Sequence, residues 1–130
     1  MVDVESVIRT YLVGISKITA VFGSRIYAGR NLPAGYEPRI GPAVLLAVRG
    51  GTMDYSSKVL EPSVQMRIYA ETEAKARESS GKIFDGINET RSRQIIYARM
   101  EDGTIPVLMN EPVSNWPYML AYYKFHIGNE

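Results

Sequence analysis

The side chains suited to chemistry are few and far apart. His126 is the single histidine, and the chain has no cysteine, so nucleophilic catalysis would need a serine brought to that imidazole or a lysine acting as base. No Gly-x-Ser-x-Gly elbow occurs. His126 shares one face of an alternating segment with Tyr122 and Lys124, a placement that strand geometry explains without chemistry. Ser79 and Lys82 have the Ser-x-x-Lys spacing that sets an amine one helical turn from a hydroxyl. The companion motifs of serine acyl-enzymes are missing, however, and the pair falls mid-helix, where both residue types commonly face solvent. Glu71, Glu73 and Glu78 gather at the start of a helix, where acidic residues already favour the macrodipole. One histidine and no cysteine leave only an all-oxygen metal site, and no EF-hand spacing is present. There is neither a Gly-x-x-x-x-Gly-Lys-Ser/Thr cradle nor a Gly-x-Gly-x-x-Gly loop. Gly50-Gly51 leads into Thr52-Met53-Asp54-Tyr55 rather than a helix, and reads as a turn. No catalytic residue, cofactor site or metal site is assigned.

Arg91, Arg93 and Arg99 flank Tyr97, a composition that suits stacking and phosphate contact. Glu89, Glu101 and Asp102 interrupt it, and the whole chain balances 15 Lys and Arg against 14 Asp and Glu. A binder of nucleic acid by charge alone needs excess cations to release counterions, so this cluster reads as a solvated face.

A length of 130 residues with 45% hydrophobic and 22% charged side chains fits one domain, 1–130, with a core that needs no staples. Asp3 caps a helix from Val4 whose stripe is Val4, Val7, Ile8, Tyr11, Leu12 and Ile15, ending near Gly14. Arg25 to Ala28 is a short strand. Asn31 to Pro42 holds three prolines and two glycines, so it should run extended over the surface as an arm. Ala43 to Arg49 is an apolar run that suits a central strand covered on both faces. Thr52 to Ser63 reads as a polar connection that projects from the sheet. Val64, Met66, Ile68 and Ala70 alternate with Gln65, Arg67, Tyr69 and Glu71. Thr72 caps a second helix with the stripe Ala76, Ser80, Ile83, Phe84 and Ile87. Asp102-Gly103 between Gln94–Met100 and Thr104–Met109 signals a two-residue hairpin, and Pro106 assigns its strand to an edge. A last strand from Tyr118 buries Met119, Ala121, Tyr123, Phe125 and Ile127. The expectation is an α+β fold, a largely antiparallel sheet with two helices packed on one face. The start of the chain lacks the basic and apolar pattern of a signal peptide, and no run is long enough to span a bilayer. The Asn88-Glu89-Thr90 sequon is therefore a chance match, and the expected compartment is the cytoplasm or a particle assembled there.

The order of four segments is distinctive: Gly23-Ser24-Arg25-Ile26-Tyr27, the proline-bearing link with Gly41-Pro42-Ala43-Val44, Gly51-Thr52-Met53-Asp54-Tyr55, and the strand-to-helix junction from Gln65 through Tyr69-Ala70-Glu71-Thr72 to Ala76. Taken in order, they resemble the tail completion proteins of tailed bacteriophages, the tail-terminator or tail-to-head joining family. The likeness extends over about residues 5 to 90 and is loose beyond. It implies a non-enzymatic virion protein at the tail–neck junction, assembled in the host bacterial cytoplasm. Its partners would be copies of itself in a ring, typically a hexamer, together with the tail tube protein and a head connector or neck protein. No membrane is implied, and DNA would be met only in passage through the ring lumen. Ring contacts are heterologous, one patch meeting a different patch of the next subunit. Aromatic, Met and Arg side chains are enriched in interface cores, so Tyr36, Arg39, Met53, Tyr55 and Leu60, carried on the two long connections, are the candidate contacts. The alternatives are another neck or minor head–tail connector component, or a small cellular α+β ligand-binding domain.

Overall fold

In the computed structural model, residues 3–54, 59–89, 95–101 and 103–128 are described. Helix α1 (Val4–Val13) starts where the Asp3 carboxylate accepts a hydrogen bond from the Ser6 amide at 3.3 Å, satisfying one of the orphan N–H groups of the first turn. The stripe buries Ile8, Tyr11 and Leu12. The helix ends at Val13 with Gly14 as its C-cap, as expected, which leaves Ile15, the last residue of the stripe, outside it. Ile15 takes an extended backbone and opens a separate helix, α2 (Ser16–Phe22), so three helices rather than two cover the sheet. On either side of the break Ile15, Ile18 and Phe22 are all buried in the core. Helix α3 (Glu73–Glu89) begins where Thr72 Oγ1 accepts from the Lys75 amide at 3.2 Å. It buries Ala76, Ser80, Ile83 and Ile87, while Phe84 stays exposed. Gly86 is the point of closest approach to α2: a Cβ there would lie 3.0–3.1 Å from Ile18 and Ile15.

The sheet is mixed. Strand β1 (Ile26–Ala28) runs parallel to β2 (Ala43–Asp54), and β2 is antiparallel to β3 (Val59–Tyr69). Strand β6 (Pro117–Gly128) follows β3, and β4 (Ile95–Met100) follows β6, giving the order β1-β2-β3-β6-β4, while β5 (Val107–Asn110) also pairs with β6. The segment read as a projecting polar connection, 52–63, is largely ladder: Thr52 lies opposite Glu61 and Met53 opposite Leu60. Gly50-Gly51 is not a turn but a shift of register inside β2. Both glycines have positive φ (108° and 129°), and a Cβ on Gly51 would collide with the Glu61 carbonyl, so the bulge needs glycine.

Among the described residues the strands flanking Asp102-Gly103 do not form the expected hairpin either. Strand β4 (Ile95–Met100) and β5 do not face each other; both line the same edge of β6. Met100 lies opposite Tyr123 and Val107 opposite Leu120, so pairing with β6 lapses between the two strands, although the Glu101 amide still donates to the Tyr122 carbonyl at 2.9 Å in that stretch. In it Thr104 Oγ1 donates to the Glu101 carbonyl at 2.7 Å. The long β6 edge offers partners to both flanks, which a two-stranded ribbon cannot match. Pro106 precedes β5, which is an edge strand as expected.

The main core lies between the helices and the even-numbered side of β3, where Val64, Met66, Ile68 and Ala70 are fully buried, joined by Met119, Ala121, Tyr123, Phe125 and Ile127 of β6. A second, smaller core forms on the opposite face from Tyr36, Ala43, Leu45, Tyr69 and Tyr118. No described helix is long and apolar enough to cross a membrane.

Candidate interaction surface

The face of the sheet away from the helices is divided into a covered half and an open half. The crossover from β1 to β2, residues 29–42, folds back over one half instead of running free. Tyr36 stands edge-on to Trp116 (ring centroids 5.9 Å, 88°) and to Tyr27 (6.4 Å). Its hydroxyl donates to the Gly41 carbonyl at 2.8 Å. Burial pushes the Tyr36 phenol up to about 12, against the opposing pull of Arg25. Beneath it, Tyr69 and Tyr118 pack at 5.0 Å. Tyr69 donates to Glu111, and its phenol is raised well above the usual tyrosine range by burial and then by that carboxylate.

The open half is a cleft of about 670 Å³ whose cationic lining comes from three segments: Arg30 just after β1, Arg49 on β2 and Arg67 on β3. Its floor is Leu45 and Ala47, and Glu5 of α1 closes one side. Arg67 lies over the Tyr118 ring (5.4 Å to the centroid) and 3.6 Å from Glu111. Arg49 donates to the neutral Gln65 amide. Arg30 is exposed and has no recorded ion pair among the described residues. The Glu5 carboxylate accepts from the Val48 amide at 3.4 Å.

A third feature lies at the far edge of the sheet. Ile105 (77% exposed), Val107, Met109 and Val113 (99%) place four large apolar side chains in solvent on and around β5, whose outer edge pairs with no described strand. Exposed apolar edge strands are ready templates for another chain. Alternation of Ile105, Val107 and Met109 is the signal the sequence offers for this face.

The residues singled out from the sequence are scattered. Tyr36 (7% exposed) and Leu60 (6%) face inward within their own chain, because Leu45, Tyr69 and Tyr118 need cover on one face and Ile127, opposite Leu60, on the other. Arg39 is exposed on a short 3-10 turn (Pro38–Ile40), paired with Glu37 at 2.8 Å. Met53 is placed by its backbone opposite Leu60, and Tyr55 lies outside the described residues, as do Arg91 and Arg93. Ser79 is buried rather than solvent-facing, so the Ser-x-x-Lys spacing does not present its hydroxyl to a substrate. His126 Nδ1 lies 3.2 Å from Glu61 Oε1, across the β3–β6 ladder. Among the described residues no group of His, Asp or Glu side chains converges to hold a metal.

No protein-family model matches the chain, and neither does any curated protein sequence. Among solved structures, the chain is similar to a protein in the virion of a native gene transfer agent particle. The two are 12% identical, with a TM-score of 0.61, and the match covers 91% of this chain and 89% of that one. At that identity the likeness establishes a shared fold over nearly the whole length: a single α+β domain with a mixed six-stranded sheet and three helices.

Proposed function

We propose that this chain is a non-enzymatic structural protein of a phage-like particle, a tail terminator that closes the tail tube as a ring and joins it to the head connector. The observation that carries the reading is the near end-to-end fold likeness to a protein built into a gene transfer agent virion. The order of sequence segments shared with tail completion proteins points the same way. The apolar β5 edge adds physical support, since a closed ring needs two different patches per subunit and at least one of them apolar enough to hold.

The inward packing of Tyr36 and Leu60 redirects the proposed contacts. On the arm, Arg39 and its exposed neighbour Ile40 remain available; Met53 near the end of the β2–β3 ladder, and Tyr55, two residues further along the sequence, remain candidates; and β5 joins them. Negative-stain microscopy of purified protein mixed with tail tubes of the particle that encodes it tests the reading. The expected result is a ring capping one tube end and arresting growth. Binding to the head connector without any effect on tube length would replace the terminator role with that of another neck component. Binding to neither would refute the assembly role.

A further inference from the structure

We infer that the arginine-lined cleft is a docking site for an extended acidic segment of a protein partner, laid along the open edge of β2. Two independent features converge there. The first is backbone geometry. Strand β1 covers β2 only as far as Leu46, the partner of Ala28, and the Gly29 amide makes the last bond, to the Leu46 carbonyl at 3.0 Å. From Ala47 onward, β2 has a strand on its β3 side alone among the described residues. Ala47, Val48 and Arg49 all line the cleft, and consecutive residues of a strand point to opposite faces. The cleft therefore wraps around the strand edge beyond the end of β1, where the Val48 amide is held by the Glu5 side chain and not by a neighbouring strand, leaving room for strand addition.

The second feature is charge. Three guanidiniums meet one carboxylate in the lining, and the partner recorded for Arg49 is neutral. Planar guanidiniums suit bidentate capture of carboxylates. The chain already seats a carboxylate of its own at this rim, where Glu5 accepts from the Val48 amide. A strand lying here would present every second side chain to the cleft, so acidic residues two apart would meet Arg30 and Arg49 in turn, with Arg67 behind them. Phosphate backbone is the weaker match: a near-neutral chain offers no extended cationic track for a duplex, and the charge is confined to a single concavity. The inference does not depend on the ring reading.

The test uses the full-length protein and an acetylated, amidated hexapeptide, Val-Glu-Val-Glu-Val-Thr, beside its Gln-for-Glu counterpart. Binding is followed by calorimetry and by backbone amide shifts. The Glu peptide is expected to bind, with shifts confined to Gly29–Arg30 and Ala47–Gly51, and to weaken as salt rises. Arg30→Glu and Arg49→Glu, both at exposed positions, should each weaken it by about tenfold or more while leaving the thermal midpoint unchanged. Equal binding of the Glu and Gln peptides would overturn the role of charge, and shifts elsewhere would overturn the site. A short DNA duplex or inorganic phosphate displacing the peptide through the same arginines would replace the acidic segment with a phosphate ligand. No binding of the Glu peptide at millimolar concentration would refute the proposal outright.

Discussion

Ile105→Glu puts the β5 edge to a quantitative test. Fully burying a large aliphatic side chain stabilises by about 1.5–3 kcal/mol. Scaled by their exposures, Ile105 (77%), Val107 (51%), Met109 (40%) and Val113 (99%) together offer about 4–8 kcal/mol per interface at most. Association costs about 4–15 kcal/mol before any gain appears, so the patch contributes to a ring but does not hold one alone, and a second contact such as the arm is required. Ile105 by itself accounts for about 1–2 kcal/mol, and a glutamate in its place adds the penalty of desolvating a charge. The expected loss is at least about 2 kcal/mol per interface, roughly a thirtyfold weaker contact. Sedimentation velocity across a concentration series reads the loss as a shift from ring to monomer. The thermal midpoint of the monomer should stay within a few degrees, because the residue is mostly in solvent. Assembly of the variant at wild-type concentrations would refute the assignment of β5 to the interface; a monomer that no longer folds would show that Ile105 has an intramolecular role its exposure conceals.

Three further outcomes follow from the packing. The Tyr123 hydroxyl is buried with no hydrogen-bond partner among the described residues, so Tyr123→Phe should be neutral or stabilising by about 1 kcal/mol in chemical denaturation; a clear loss would mean that the hydroxyl is satisfied. Gly86→Val should cost about 1–3 kcal/mol by forcing Ile15 and Ile18 out of contact, and an unchanged denaturation midpoint would show that α2 moves freely on α3. Burial raises the Tyr36 phenol to about 12, above its unfolded value near 10. Its contribution, about 2–3 kcal/mol, is therefore fully present below pH 10 and is lost as pH rises through 12. Tyrosinate absorbance and stability followed together should change in that window, and Tyr36→Phe should remove its share of the slope.

Where the sequence was legible, a local physical cause was strong enough to act alone. Asp3 and Thr72 cap their helices because a side-chain oxygen sits in reach of bare amides. The alternation in β3 and β6 survives because one face of each is fully buried. Elsewhere a distant partner overrode the local signal. Asp102-Gly103 favours a tight turn, yet β6 offers both flanking segments a longer ladder than they could form together. Gly50-Gly51 looks like a strand terminus, but glycine also permits the bulge that lets β2 continue. Tyr36 read as interface cargo because nothing in its own segment reveals that Leu45, Tyr69 and Tyr118, from three other segments, need a lid. The arginine cleft was invisible for the same reason. Arg30, Arg49 and Arg67 become neighbours only through the β1–β2–β3 order.

Strand β6 comes after β4 and β5 in the chain but lies between them and β3 in space. This has a consequence for synthesis. Until residues 117–128 have left the ribosome, β3 has no partner on that side, and neither β4 nor β5 has any strand to join. At about 5–20 residues per second, roughly 3–12 seconds separate the emergence of Tyr69 from that of Gly128. During that interval Val64, Met66 and Ile68 have only the helices to cover them, with an open strand edge alongside. Such nascent chains are sensitive to aggregation, and an insertion or truncation within 117–128 would remove the pairing partner of three strands at once.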